Sequence, residues 1–488
     1  MVRAAVSLRA PEGYRFSLRV REQGEVIAVG DGIAWIAGLP SAALDQLVTF
    51  EGAARARGML FNLEEDRIGA IVLDAEGSIA AGTRVLSAET RLEIPVGNAL
   101  LGRVIDPLCR PLDGRELELP TVTLPIDVRA PSIAQRADVH EPLYTGNTIA
   151  DTMLPIGRGQ RQLLIGDRGL GKTSLALDTV VNQGDDVISV YVLIGQRRSE
   201  ITAIVATLRQ SGALSRSVVV VAEADAPPGL QYIAPYAGCA IAEHWMQAGG
   251  HALIVFDDLT RHAQAYRSLS LLLRRPPGRE AYPGDIFFLH SRLLERATVL
   301  TSKLGGGSLT ALPIVDTQEG EIAAYIPTNL ISITDGQTYF DAQLFSAGTL
   351  PAIDVTRSVS RVGGNAQVPA VAAEAGRMRL EYLQFLELER FARVGTRLEA
   401  STVAKIARGR LLREMLKQDR LSPRPILAQL GAMIAYNDGL LDGVPLERAH
   451  ARLEDLQAQI AASSLTLTTQ RTQWSSMLAQ WLKAAEKP

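Results

Sequence analysis

Cysteine is scarce in this 488-residue chain. There are two, Cys109 and Cys239, far apart in sequence. That excludes a disulfide framework and fits a reducing compartment. Aromatic residues make up 5% of the protein, too few to supply a base-stacking platform. A surplus of positive charge is also missing. The formal net charge is −3, so no basic field draws the protein to nucleic acid. The six histidines are scattered, with no HExxH and no Cys/His pairs at ligand spacing, which excludes a zinc cage. No apolar run reaches the ~18 residues that a membrane span needs, and the N-terminus does not read as a signal peptide. If the protein works at a membrane, other chains must hold it there.

What the sequence does have is an ordinary globular balance, 47% hydrophobic and 21% charged. Its length suggests two to four domains of ~100–200 residues each. Residues 1–23 show no sustained helical period and carry Pro11 and Gly13. They read as a loose arm. Residues 24–93 are short Val- and Ile-rich runs punctuated by Gly, Asp and Asn, the pattern of a small β-barrel. Gly30, Asp31 and Gly32 read as one hairpin turn. From 94 to 367, apolar strands such as RQLLIG, VISVYVLIG, SVVVVAEA, HALIVFDD and GSLTALPIVDT alternate with helices such as 199–212 and 260–274. Such alternation predicts a mostly parallel sheet covered by helices on both faces. Residues 368–488 are mostly helical. Met378, Tyr382 and Phe385, then Trp474, Leu478 and Trp481, fall at helical spacing and read as core positions.

The chemistry sits in GDRGLGKT, residues 166–173, followed by Ser174. It fits G-x-x-x-x-G-K-[ST], follows an apolar strand and opens a helix, which is the context a P-loop needs. Gly166, Asp167, Arg168, Gly169, Leu170 and Gly171 supply a backbone that can close around phosphates at a helix N-terminus. Lys172 reaches the β- and γ-phosphates as a point charge, and Thr173 offers its hydroxyl to Mg²⁺. The strand LIVFDD supplies Asp257, placed to hold Mg²⁺ through a water, while Asp258 suits a cap on the next helix. Gln196 ends the strand after the P-loop helix, where a glutamate could activate water. An amide cannot take a proton, so binding is expected and rapid hydrolysis is not, unless a base sits elsewhere.

Longer stretches carry a family resemblance. IGDRGLGKTSLA, YVLIGQRRSE, LIVFDDLTRHAQAYRSLSLLLRRPPGREAYPGD, GSLTALPIVDTQEGEIAAYIPTNLISITDGQ and RSVSRVGGNAQ resemble the alpha subunit of rotary F-type ATP synthases over about residues 24–440. The resemblance implies an N-terminal β-barrel, a central RecA-like α/β P-loop domain and a C-terminal α-helical domain. It implies that ATP or ADP and Mg²⁺ are bound without turnover, with Gln196 and Gln418 in the ATP site. It implies partners: catalytic beta subunits alternating with alpha in a ring, a gamma shaft and peripheral-stalk subunits. Membrane contact would come only through the complex, at the cytoplasmic face of a bacterial plasma membrane. Arg361, in SRVGG, matches the family's arginine finger, which reaches into the neighbouring beta site. The complex couples ATP synthesis or hydrolysis to transport of H⁺ or Na⁺.

The departures are specific. Gly169 and Leu170 replace the usual Gln and Thr of GDRQTGKT. GTLPAI puts Leu350 where GIRPAI has Arg, and KQDR keeps Gln418 but puts Arg420 where KQxQ has its second Gln. Phosphate binding is thereby better supported than adenine recognition. Pro11 and Gly13 interrupt the helix that docks on the stalk's delta subunit. These features suggest a divergent member, of the alternative bacterial type. Two other readings share the architecture. A flagellar or type III export ATPase carries Glu at the place of Gln196 and lacks RRPPGREAYPGD. A hexameric RNA translocase needs a basic, aromatic surface that this composition does not supply.

Overall fold

The computed structural model describes residues 22–52, 56–74, 79–392 and 399–484. Most of the arm expected over 1–23 lies outside them. The protein divides into two compact units, Met1–Leu92 and Glu93–Pro488.

In the first unit six antiparallel strands close into a barrel. Their spatial order is Gln23–Gly30, Ile33–Gly38, Ile68–Val72, Arg57–Leu63, Gln46–Phe50 and Arg84–Arg91, and the last pairs with the first. Closure leaves no unpaired edge. The inward residues, among them Val26, Ile36, Val48, Phe50, Leu60 and Val85, form one apolar core. The Gly30-Asp31-Gly32 hairpin forms as expected. Asp31 and Gly32 take positive φ of 55° and 81°, the conformation that tight hairpin turns favour.

The second unit is built on a ten-stranded sheet. Its main path runs Val359–Ser360, Gly336–Phe340, Leu163–Asp167, Ser308–Thr317, His251–Asp257, Val187–Gln196, Ser217–Glu223 and Val104–Ile105. Every pairing along this path is parallel except the first. Helices cover both faces, which is why these strands are apolar from end to end rather than alternating. Val190, Tyr191, Val192, Leu193 and Ile194 are buried in succession. The strand Leu163–Asp167 lies inside the sheet. Its C-terminal end therefore opens onto the crevice above the sheet, where such folds place ligands.

Five helices follow: Pro369–Ala392, Ala400–Leu416, Ile426–Asn437, Leu446–Ala461 and Arg471–Ala484. Met378, Tyr382, Phe385, Trp474 and Leu478 are buried, and Trp481 packs against them. The first two helices cross so closely that a Cβ on Gly409 would meet the Phe385 ring at 2.1 Å. Only glycine fits that crossing. Among the described residues no helix is long and apolar enough to cross a membrane.

Candidate functional site

The strand Leu163–Asp167 ends in the predicted loop, and the helix Lys172–Asn182 leaves it. Three glycines shape the turn, with φ of 155° at Gly166, 84° at Gly169 and 105° at Gly171. A Cβ on Gly166 would meet the carbonyl oxygen of Phe340 at 2.6 Å. L residues strain at such angles, so the loop's path demands glycine. The N-terminus of the Lys172–Asn182 helix has no hydrogen bond from a capping side group. Its first amides and the positive end of its dipole are left for an anion.

A cavity of about 470 Å³ opens beside the loop. Arg168, Gly169, Gly171, Lys172, Thr173 and Ser174 line it, together with Gln196 and Asp257. Gly166 and Asp167 stand behind these. The Asp167 carboxylate accepts from Thr317 Oγ1 at 2.6 Å and from the Gly320 N–H at 2.9 Å, which pins the loop's base. Leu170 points into the core. The Lys172 ammonium is buried and has three oxygens around it: Gly166 O at 2.7 Å, Asp167 O at 2.6 Å and Asp316 Oδ1 at 2.9 Å. Arg168 pairs with Glu200 at 3.0 Å.

Asp257 is the centre of the polar floor. Its Oδ2 accepts from Thr173 Oγ1 at 3.0 Å and from Tyr191 OH at 3.1 Å, and its Oδ1 accepts from Gln196 Nε2 at 2.9 Å. Burial nonetheless pushes its pKa up to about 6, because desolvation outweighs the hydrogen bonds from Thr173 and Tyr191. Asp258 caps the helix Leu259–Leu272, accepting from the Arg261 N–H at 2.8 Å, as expected. Its pKa is raised to about 7 by burial first, then by the charges of Asp316 and Asp257. Gln196 therefore contributes an amide donor. A carboxylate in its place would face that of Asp257 within hydrogen-bond distance, and the two could not both ionise freely.

Among the described residues no group of three or more His, Cys, Asp or Glu residues is arranged to hold a metal ion. Mg²⁺ does not need such a cage. It is usually held by one or two carboxylates, water and the phosphates of its nucleotide. The touching Thr173 hydroxyl and Asp257 carboxylate, at the mouth of a loop built for phosphates, fit that demand.

Other expected residues lie apart from this cavity. Arg361 is not in its lining. It follows the short edge strand Val359–Ser360, which pairs antiparallel with Gly336–Phe340. Its N–H donates to Asp335 O at 2.8 Å, its side chain is exposed, and Gly363 beyond it turns with φ 53°. Among the described residues its guanidinium makes no hydrogen bond or ion pair. Gln418 is buried outside the lining. Its Oε1 accepts from the Thr148 N–H at 3.0 Å, and its Nε2 donates to Gly146 O and Ser422 O, both at 2.7 Å. The amide is fully used by the protein itself. Leu350 is half-exposed, and its carbonyl accepts from the Gln418 N–H at 2.9 Å.

Sequence reasoning missed Asp316, Arg261 and Tyr191. Asp316 is the last residue but one of the strand Ser308–Thr317, close to where Asp257 ends its own, so the apolar run closing in VDT was a usable signal. Arg261 donates to Gly195 O at 2.7 Å and nothing in the local pattern announces it.

Comparison with known proteins agrees with this architecture. The model of the ATP synthase alpha/beta family β-barrel domain matches residues 19–88. That of the family's nucleotide-binding domain matches 146–360, and that of the family's C-terminal domain matches 367–485. The chain is 55% identical over 474 residues to ATP synthase subunit alpha 1 of Legionella pneumophila (strain Paris), covering 97% of this chain and 96% of that one. It is 53% identical over 475 residues to ATP synthase subunit alpha 1 of Hahella chejuensis, with 97% and 96% covered. It is 52% identical over 456 residues to ATP synthase subunit alpha 1 of Rhodopirellula baltica, with 93% and 90% covered.

Proposed function

The chain belongs to the ATP synthase alpha/beta family, and from that premise we propose that it is an alpha-type subunit that holds MgATP and does not cut it. The observation that carries this reading is the Gln196 amide, which donates to Asp257 Oδ1 at 2.9 Å inside the P-loop cavity. The group beside the metal-side carboxylate is thus a donor with no basicity, unable to draw a proton from an attacking water. Of the other carboxylates that line the cavity, Glu200 is tied to Arg168, Asp316 to Lys172 and Asp258 to the Arg261 N–H. In this reading the Lys172 ammonium and the loop amides bind the phosphates. Thr173 and Asp257 would hold Mg²⁺, which when bound would neutralise phosphate charge.

The subunit works in a ring where three copies alternate with three catalytic beta subunits around a gamma shaft, braced by peripheral-stalk subunits. Arg361 is supplied across the interface to the beta site as an arginine finger. The complex couples ATP synthesis or hydrolysis to H⁺ or Na⁺ transport, and this subunit sits peripherally on the membrane through it. The test is co-expression with the beta and gamma subunits. An alternating ring whose turnover needs beta is expected. A ring of this subunit alone that turns over ATP at an ordinary enzyme rate, about 1–10³ s⁻¹, would contradict the proposal.

A further inference from the structure

The cavity has a second end, built from outside the P-loop sheet. After the helix Ala400–Leu416 the backbone turns back against the nucleotide-binding domain. Three ties hold this turn. Gln418 is locked to Thr148 and Gly146, the Arg424 N–H donates to Gly146 O at 2.7 Å, and the Leu421 N–H donates to Asp178 Oδ1 at 2.7 Å. Asp178 is a buried carboxylate on the helix that begins at Lys172. Leu421 itself is left-handed, with φ 59°, a conformation that a branched residue resists. The turn is therefore shaped by its anchors and not by local preference.

That shape presents Arg420 and Leu421 to the cavity, whose lining also includes Leu177 and Thr207. Leu177 lies five residues along the helix from Lys172, roughly 7–8 Å from the phosphate end by helical rise. This is where the base of a triphosphate gripped by Lys172 would lie. Leu177 and Leu421 offer apolar surface to its ring faces. The Thr207 hydroxyl donates to Ala203 O at 3.0 Å, so toward the cavity it presents lone pairs. The strong donor at this end is Arg420. Its side chain is exposed, and among the described residues its guanidinium has no hydrogen-bond or ion-pair partner.

A guanidinium has five N–H donors and no acceptor. A base edge carrying an exocyclic amine, as adenine does, sets a donor against it. A 6-oxopurine presents O6 and N7, two acceptors at the spacing of the guanidinium fork. We infer that Arg420 reads the base, and that the cavity prefers nucleoside triphosphates with a 6-oxopurine base to those with adenine. The inference rests on the nucleotide-binding reading above and sharpens its ligand.

The experiment titrates the purified full-length protein with MgATP, MgGTP and MgITP by calorimetry. Inosine triphosphate shares O6 and N7 with GTP but lacks the 2-amino group, so it isolates the edge in question. GTP and ITP should bind about tenfold or more tighter than ATP, the scale of one good bidentate pair. Arg420→Gln should bring the three nucleotides within about threefold of one another, chiefly by weakening GTP and ITP, since one amide replaces the bidentate fork. Thermal melting checks that the variant folds, as expected for an exposed residue. Equal affinity of the wild type for all three nucleotides would overturn the inference. So would an equal loss for all three in Arg420→Gln, which would put the guanidinium on the phosphates. Binding of none of them by the folded wild type would overturn the nucleotide reading itself.

Discussion

The P-loop cavity and the turn at Arg361 are built on opposite terms. In the cavity each central charge has partners within the protein: Lys172 has three oxygens, Asp257 three donors, and Asp258 the Arg261 amide. At Arg361 only the backbone is engaged, through the bond to Asp335 O, and the charged head has no partner among the described residues. The strand that leads into the P-loop and the strand that leads to Arg361 lie in one sheet with only Gly336–Phe340 between them. Yet one ends in a finished pocket and the other in a projecting cation. A pocket whose charges at the phosphate end are already matched can hold a ligand tightly and still lack a base. A cation with no internal use is suited to complete a site on another subunit.

Substitutions should separate the two regions. The largest effect is expected at Arg361. Arg361→Ala in an assembled complex should lower steady-state hydrolysis by about 10³–10⁵, or ~4–7 kcal/mol of transition-state stabilisation, with assembly and nucleotide affinity nearly unchanged. Arg361→Lys should restore little, because an ammonium cannot span two phosphoryl oxygens. Near-normal turnover in a correctly sized complex would leave Arg361 with a structural role only.

Lys172→Ala should act in the opposite sense. It removes charge-assisted hydrogen bonds worth about 1.5–3 kcal/mol, so nucleotide affinity of the isolated subunit should fall by roughly 10- to 150-fold. The assembled complex should keep measurable turnover. Titration calorimetry and a turnover assay on the same variant check both halves.

Asp151 tests the scaffold behind the cavity. Its buried carboxylate accepts from the Thr145 N–H and Oγ1, both at 2.7 Å, from the Gly146 N–H at 3.0 Å and from Gln429 Nε2 at 2.8 Å. Asp151→Asn turns an amide donor toward donors. It should cost about 1–3 kcal/mol of stability in urea melts, with a smaller effect on nucleotide affinity.

The mildest probe is pH. Burial holds Asp257 at about 6, above the ordinary carboxylate value near 4. Below about pH 6 it carries a proton that a cation must displace. Affinity for the Mg²⁺ complex should then fall by up to about tenfold per pH unit as pH drops through that range. A flat profile for MgATP would remove Asp257 from the metal side of the site.

How much of this was legible beforehand follows from the range of each signal. The loop GDRGLGKT, the strand closing on Asp257 and the cap at Asp258 are local patterns, and each lies where its neighbours in sequence put it. The alternating strands and the stripe Met378, Tyr382 and Phe385 were legible for the same reason, since period reports burial. Asp316, Arg261 and the Leu421–Asp178 tie were not. They join residues distant in sequence, and only the strand order brings them together. Gln418 illustrates the converse. Its motif is local, but its amide is consumed by Thr148, Gly146 and Ser422, partners that no motif names.

Whether the pocket holds a nucleotide and spares it can be read from the nucleotide itself. The purified protein is incubated with MgATP, the bound nucleotide is recovered after many ordinary turnover times, and its phosphates are counted. About one nucleotide per molecule is expected, recovered as intact triphosphate. Stoichiometric ADP with released phosphate, lost in a Lys172→Ala control, would show that this pocket cuts what it binds and would contradict the account.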